Sequence, residues 1–356
     1  MKLIESTTYR NDLQYATNMS DFRFLADKKV LITGGTGLIG SAIIDLILAN
    51  NECNETNTIV YAASRTEKSI LSRFGDSKFI VWVEYDALKP VDFLEKVDFI
   101  IHCAGNASPE LYVSKAVETM LMNFTGLNNL LSYAKKVKPE GVLYLSSSEI
   151  YGRKKFEQSY SEEDFGYINY LQPRSSYASS KIASETLSSA YASEYGIRTL
   201  IARPGHIYGP TASPKDKRVS SSFAYDAANG KNLTLKSTGS QVRSYMYCLD
   251  CARAILMILE KGVGGEAYNV CGKESISIKK MASILAKAGN VELTFQRPSQ
   301  EELSRFNPMD NASLNYAKIH HLGFDTCFSA EEGLTHTVSI LREMIGRHEA
   351  EDLQNV

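Results

Sequence analysis

Lys29-Val30-Leu31-Ile32-Thr33-Gly34-Gly35-Thr36-Gly37-Leu38-Ile39-Gly40 is the stretch that decides how this chain folds. A short apolar run ends in a cluster of glycines, and a helical apolar pattern follows at once through Ile43, Ile44, Leu46, Ile47 and Leu48. Glycines 35, 37 and 40 fit a G-x-G-x-x-G spacing, and glycines 34, 37 and 40 fit G-x-x-G-x-x-G. Strand, tight turn and helix in that order let a bare backbone approach a pyrophosphate and aim a helix N-terminus at its charge. The expectation is a dinucleotide site on Gly34, Gly37, Leu38, Ile39 and Gly40.

Working outward, apolar runs alternate with helical patterns as far as about residue 204. Strands are expected at 29–33, 58–63, 79–84, 98–103, 142–146 and 198–202. Helices are expected near 41–50, 66–73, 111–136 and 175–195. Such alternation implies a parallel sheet with helices on both faces. Residues 1–28 are polar and mixed, too sparse in apolar residues for a strong helix, and read as an extension packed outside the sheet. Asn51 to Asn57 reads as a surface loop. Beyond Pro204 the alternation weakens, with helices expected at 219–229, 250–261, 276–288 and 330–346. The division expected is an extension (1–28), a dinucleotide-binding domain (29–204) and a mainly substrate-binding remainder (205–356).

Composition narrows the function. A chain of 356 residues, 44% apolar, buries a large core. A formal net charge of −2 argues against nucleic acid or an anionic membrane as partner. No apolar run approaches a membrane span and no leader pattern is visible, so a cytoplasmic location is expected. Six scattered cysteines read as reduced thiols. Cys248-x-x-Cys251 has no second pair at metal-ligand spacing, so it reads as core and no metal site is expected. His320-His321 reads as a helix end.

Tyr177 and Lys181 stand four apart in Ser175-Ser176-Tyr177-Ala178-Ser179-Ser180-Lys181, and on a helix that spacing shares a face. A free phenol titrates near 10, so ionising it at neutral pH costs roughly 4 kcal/mol. A nearby ammonium offsets part of that and makes the tyrosine a usable proton acceptor or donor.

With these residues in hand, the chain resembles the extended short-chain dehydrogenase/reductases, in the branch that modifies nucleotide-activated sugars. The likeness runs from about Lys29 to about Gly333. Its residues are Thr33-Gly34-x-x-Gly37-x-x-Gly40, His102-Cys103-Ala104-Gly105, Ser146-Ser147-Ser148-Glu149-Ile150-Tyr151-Gly152, Tyr177-x-x-x-Lys181, Arg203-Pro204-Gly205-His206-Ile207-Tyr208-Gly209-Pro210 and Gly239-Ser240-Gln241-Val242-Arg243. The resemblance implies an α/β fold: a Rossmann-type doubly wound parallel sheet with a smaller C-terminal substrate-binding lobe, part of which returns to the main sheet. It implies catalysis by Ser147, Glu149, Tyr177 and Lys181, with Lys181 also holding the nicotinamide ribose. Asp86, Ala104, Gly105, Asn123 and Pro204 are implied as cofactor contacts. Ser148, His206, Arg218 and Arg243 are implied as substrate contacts, with Arg243 on the diphosphate. Dimerisation is implied through the helices near 111–136 and 175–195.

The identity of the dinucleotide rests on the end of the second strand. NAD enzymes usually place an acid there. This chain has Ser64-Arg65 instead, and a guanidinium pairs well with a 2′-phosphate. NAD or NADP is expected, with NADP favoured. Ser148-Glu149 resembles the pair in UDP-glucuronate decarboxylases more than the Asp-Glu of 4,6-dehydratases. Pro173-Arg174-Ser175-Ser176-Tyr177 and Lys217-Arg218-Val219 point the same way, whereas His206 departs from the family's usual asparagine. The reaction expected is C4 oxidation of a nucleotide-hexose or hexuronate, leading to decarboxylation, dehydration or epimerisation. An NADPH-dependent 4-ketoreductase uses the same serine, tyrosine and lysine, and a non-catalytic dinucleotide sensor is the reading from another class.

Overall fold

The structure, a computed structural model, describes residues 2–92, 95–106, 108–154, 158–299 and 309–354. Its centre is a sheet of seven strands: β1 (Lys29–Thr33), β2 (Ile59–Ser64), β3 (Ile80–Glu84), β4 (Phe99–His102), β5 (Gly141–Leu145), β6 (Thr199–Pro204) and β11 (Ala267–Val270). Their order is β11-β6-β5-β4-β1-β2-β3, and every neighbouring pair is parallel. The central strands are buried on both faces, which is why they read as unbroken apolar runs. Val30, Ile32, Ile101 and Leu143 enter one core, while Leu31, Ile100, Val142 and Tyr144 enter the other. Successive side chains of a strand point to opposite faces, so one strand serves both layers.

Helices α2 (Leu38–Asn54), α3 (Glu67–Phe74), α5 (Ala116–Val137) and α6 (Ser176–Tyr195) occupy the expected stretches. The expected helix near 111–136 is two. A short α4 (Pro109–Ser114) precedes α5, with Lys115 between them at φ −137 and ψ 51. The expected loop from Asn51 is also different, because α2 runs to Asn54. Asn51 is buried there, donating to the Thr58 carbonyl at 2.8 Å and accepting from the Thr58 amide at 2.8 Å. Its polarity reads as a loop in sequence, but the amide is closing the connection to β2.

The N-terminal segment differs as well. Thr7–Asn18 forms a helix, α1, capped by Ser6, whose hydroxyl accepts from the Tyr9 amide. It packs on α2, on α8 (Cys248–Lys261) and on the C-terminal helix α11 (Ala330–Gln354). Two of its five buried residues are Asp12 and Thr17: Asp12 takes a bond from the Tyr247 hydroxyl and another from His336, and Thr17 is buried beside Tyr9, Leu13 and Ala16. Those partners lie far along the chain, so hydropathy alone cannot see the face.

After β6 come β7 (His206–Tyr208), α7 (Val219–Ala228), β8 (Leu233–Leu235), β9 (Val242–Arg243) and β10 (Tyr245–Tyr247). Following β11 are β12 (Ile276–Ser277), α9 (Ile278–Gly289), β13 (Leu293–Phe295), β14 (Asn311–Ala312) and α10 (Ala317–His321). The small sheets pair β7 with β10, β8 with β13, and β9 with β12 and β14. His320-His321 closes α10, and Cys248 and Cys251 are buried free thiols on α8. No helix among the described residues is long and apolar enough to cross a membrane.

Candidate active site

Sequence order reverses on the two sides of β1, where β2 flanks one edge and β4 the other. In open parallel sheets the crevice at that switch point, beyond the carboxyl ends of the strands, takes the ligand. The glycine turn follows β1, Ala104 and Gly105 follow β4, the serine run follows β5, and Pro204 closes β6. Every implied element thus leaves the sheet at one edge.

The turn after β1 fits a dinucleotide phosphate. Gly34 sits at φ +69, and a Cβ there would lie 2.8 Å from the Ala104 amide nitrogen. A Cβ on Gly40 would lie 2.4 Å from the Gly34 carbonyl oxygen, so the helix packs on the turn only without one. The first amides of α2, at Leu38, Ile39 and Gly40, have no carbonyl partner within the helix. Across the crevice, Asn123 donates to the Thr119 carbonyl and to Ser180, both at 3.0 Å. Its Oδ1 is buried with no partner among the described residues. A Cβ on Gly105 would come within 2.7 Å of that oxygen. Asp86 caps its own turn, accepting from the Leu88 amide at 3.0 Å. Ser64 donates to the Thr66 carbonyl and accepts from the Trp82 indole at 3.2 Å. Arg65 is exposed and makes no ion pair among the described residues.

Tyr177 and Lys181 lie buried in the first turns of α6. The Lys181 ammonium donates to the Leu145 carbonyl at 2.6 Å and stands 4.7 Å from the Tyr144 ring centroid and 5.7 Å from that of Tyr177. Burial draws the Lys181 pKa down to about 8, against smaller upward pulls from Cys103 and Glu185. Burial raises the Tyr177 phenol. The Ser147 hydroxyl, Tyr112 and Arg218 pull it back, and Glu149 pushes it further up. These influences rank ahead of Lys181, which sequence spacing had put first.

Ser147 caps the turn after β5, accepting from the Glu149 amide at 3.2 Å. The turn is braced from β11 and β6: the Tyr151 hydroxyl donates to Asn269 at 2.6 Å and accepts from Arg203 at 3.1 Å. Ser148 is buried in it. Glu149 is gripped by Arg174, with Nη1 to Oε2 at 3.0 Å and Nη2 to Oε1 at 3.4 Å.

A cationic group closes the far side. Arg218 is held by Asp216 through Nε and Nη2. Arg243 is 2% exposed and donates only to the Val242 and Asp310 carbonyls, with no carboxylate partner among the described residues. The His206 Nδ1 is buried without a partner among them, and burial, then Arg243 and Arg218, hold that imidazole down to about 3. An unpaired buried guanidinium is expensive in isolation and suits an anionic ligand. Among the described residues no cluster of histidine, cysteine, aspartate or glutamate could hold a metal ion.

Two side chains at this site escaped the sequence reading. Arg174 sat in a noted motif without a role. Tyr112, on α4, stacks on Tyr177 with ring centroids 4.2 Å apart and planes 7° from parallel. Neither contact leaves a local spacing signal, because each joins separate segments.

A family model described as "NAD dependent epimerase/dehydratase family" matches residues 30–271. UDP-glucuronic acid decarboxylase 1 of Xenopus tropicalis is 28% identical over 333 residues, covering 92% of this chain and 76% of its own. UDP-glucuronic acid decarboxylase 6 of Arabidopsis thaliana is 33% identical over 237 residues, 67% of each chain. Among solved structures, the dTDP-glucose 4,6-dehydratase of Streptomyces venezuelae with NAD and TYD bound superposes with a TM-score of 0.76. It is 25% identical and covers 89% of this chain and 98% of its own.

Proposed function

Because this chain belongs to the NAD dependent epimerase/dehydratase family of enzymes, we propose that it oxidises C4 of a nucleotide-activated hexuronate and releases carbon dioxide. The observation that carries the reading is the Glu149–Arg174 pair, set in the same turn as Ser147 and close enough to Tyr177 for Glu149 to act on its phenol. The relatives named as UDP-glucuronic acid decarboxylases support the substrate class.

Gly34, Gly37, Leu38, Ile39 and Gly40 would hold the dinucleotide phosphates. Ser64, Arg65 and Asp86 would hold its adenosine end, and Ala104, Gly105, Asn123, Lys181 and Pro204 its nicotinamide end. When bound, that dinucleotide supplies the oxidant. Tyr177 takes the proton of the C4 hydroxyl, and the Ser147 hydroxyl hydrogen-bonds the same oxygen. A C4 ketone lies β to the C6 carboxylate, so the C5–C6 bond breaks with its electron pair passing into the carbonyl. Glu149, fixed by Arg174, and Ser148 hold the sugar and relay a proton from solvent to C5. The C4 ketone is then reduced back to the alcohol, with Tyr177 returning its proton to that oxygen, so the dinucleotide ends in the form in which it began. Arg243, His206 and Arg218 bind the diphosphate.

Incubation with a panel of UDP-, dTDP-, GDP- and CDP-sugars, read by mass spectrometry, tests this. Loss of carbon dioxide from one nucleotide-hexuronate, with no net use of added cofactor, is expected. Stoichiometric loss of NADPH with a 4-keto sugar nucleotide would instead establish a ketoreductase, a reading favoured by the exposed Arg65 at the end of β2. The apolar, exposed Val117, Met120, Leu121 and Phe124 of α5 and Ile182 of α6 support a homodimer, which light scattering would read as twice the chain mass.

A further inference from the structure

Tyr112 is assigned nothing by the family motifs, yet it has the closest ring contact in the site. Its ring is 3% exposed and lies flat on that of Tyr177, at 4.2 Å and 7°. Its backbone is pinned to the same helix turn, since the Ser176 hydroxyl donates to the Tyr112 carbonyl at 3.0 Å. This placement exists because the chain breaks at Lys115. The break leaves α4 as a separate short helix lying against the start of α6.

Resting on the reading of Tyr177 as the proton acceptor, we propose that Tyr112 is a positioning residue: its ring fixes the Tyr177 ring, and its hydroxyl donates a hydrogen bond to the ionised Tyr177 oxygen that then takes the substrate proton.

The asymmetry of the pair supports the direction of that bond. Burial holds the Tyr112 phenol well above its ordinary value, and Tyr177 and Glu149 add to the rise. Tyr112 therefore keeps its proton and acts as donor, while its contact lowers Tyr177. The titratable and charged groups around the Tyr177 phenol come from every packed element: Tyr112 on α4, Tyr144 on β5, Glu149 after it, Lys181 on α6 and Arg218 ahead of α7. Of these, Tyr112 is the neutral donor stacked directly on the ring. The Ser147 hydroxyl, which also lowers the Tyr177 phenol, approaches from the turn after β5. A stacked ring also removes side-chain rotations that would misplace the reacting atom, where small displacements are costly.

The test is a spectroscopic titration that needs no substrate. Phenolate absorbance of the NAD-loaded protein is followed against pH, and the same curve for Tyr177→Phe is subtracted, leaving the Tyr177 step. Tyr112→Phe keeps the ring and removes the donor, and should move that step upward by about one pH unit, the equivalent of one hydrogen bond to a charged oxygen. Tyr112→Leu removes ring and donor together and should move it at least as far. The acidic limb of kcat/KM should shift in parallel, which a purely structural role would not produce. An unmoved midpoint in folded Tyr112→Phe or Tyr112→Leu overturns the assignment of Tyr112 alone. No Tyr177-dependent step in the parent protein overturns this proposal together with the role of Tyr177.

Discussion

Replacing Arg243 by methionine separates binding from folding. Arg243 is 2% exposed, and among the described residues its guanidinium donates to two main-chain carbonyls, at 2.8 and 3.3 Å. Burial lowers its pKa against weaker upward pulls from Tyr245, Glu149 and Asp310, so the folded chain carries a cation short of counter-charge. Arg243→Met removes two hydrogen bonds to main-chain carbonyls, at about 1 kcal/mol of net hydrogen bonding each, although the Asp310 carbonyl keeps the Val242 amide. It also removes a buried charge, and replacing such charges by apolar groups is often favourable by about 1–4 kcal/mol. The two effects oppose, and the thermal midpoint should stay within a few degrees of the parent. Binding has no such offset. A hydrogen bond between charged partners is worth about 1.5–3 kcal/mol, so affinity for UDP should fall about 10- to 100-fold. Calorimetric titration of UDP into both NAD-loaded proteins, with parallel thermal melts, reads the two quantities. A folded Arg243→Met protein that binds UDP within about threefold of the parent would refute the diphosphate role.

Three further outcomes follow from the same geometry. Tyr177→Phe should lower turnover by at least ~10²-fold while the protein still retains added NAD in gel filtration, and near-native turnover would remove Tyr177 from its role. Glu149→Gln keeps the shape but loses the charged partner of Arg174; it should abolish release of carbon dioxide yet spare reduction of a simple keto-sugar nucleotide. The reverse pattern would count against Glu149. At the α1 anchor, Asp12 raises the His336 pKa through a 2.9 Å contact. A raised imidazole stabilises the fold fully below its unfolded value, and that contribution disappears as pH climbs through the folded value. The difference in urea midpoint between the parent and His336→Gln should therefore be largest in mild acid and vanish in alkali. A gap that widens with pH would contradict the sign.

Much of this protein was legible in order of residues alone. The βα alternation and the glycine turn after Thr33 follow from chain-local physics, whereas the return of a strand from the C-terminal half to the main sheet was implied by the family resemblance alone. A parallel strand covered on both faces must be continuously apolar, and a phosphate turn cannot carry side chains. The serine run and the Tyr177–Lys181 spacing were readable for the same reason, being set by one strand end and one helix face. Tertiary structure alone decided what those residues touch. Tyr112 lies on Tyr177, Arg174 grips Glu149, Asp12 buries a polar helix face against Tyr247 and His336, and Arg243 has no carboxylate partner among the described residues. Each of these is a contact between segments distant in sequence, selected by packing and by the balance between burial and pairing of charge. No period or spacing along the chain encodes such a balance, because its terms exist only once the segments meet.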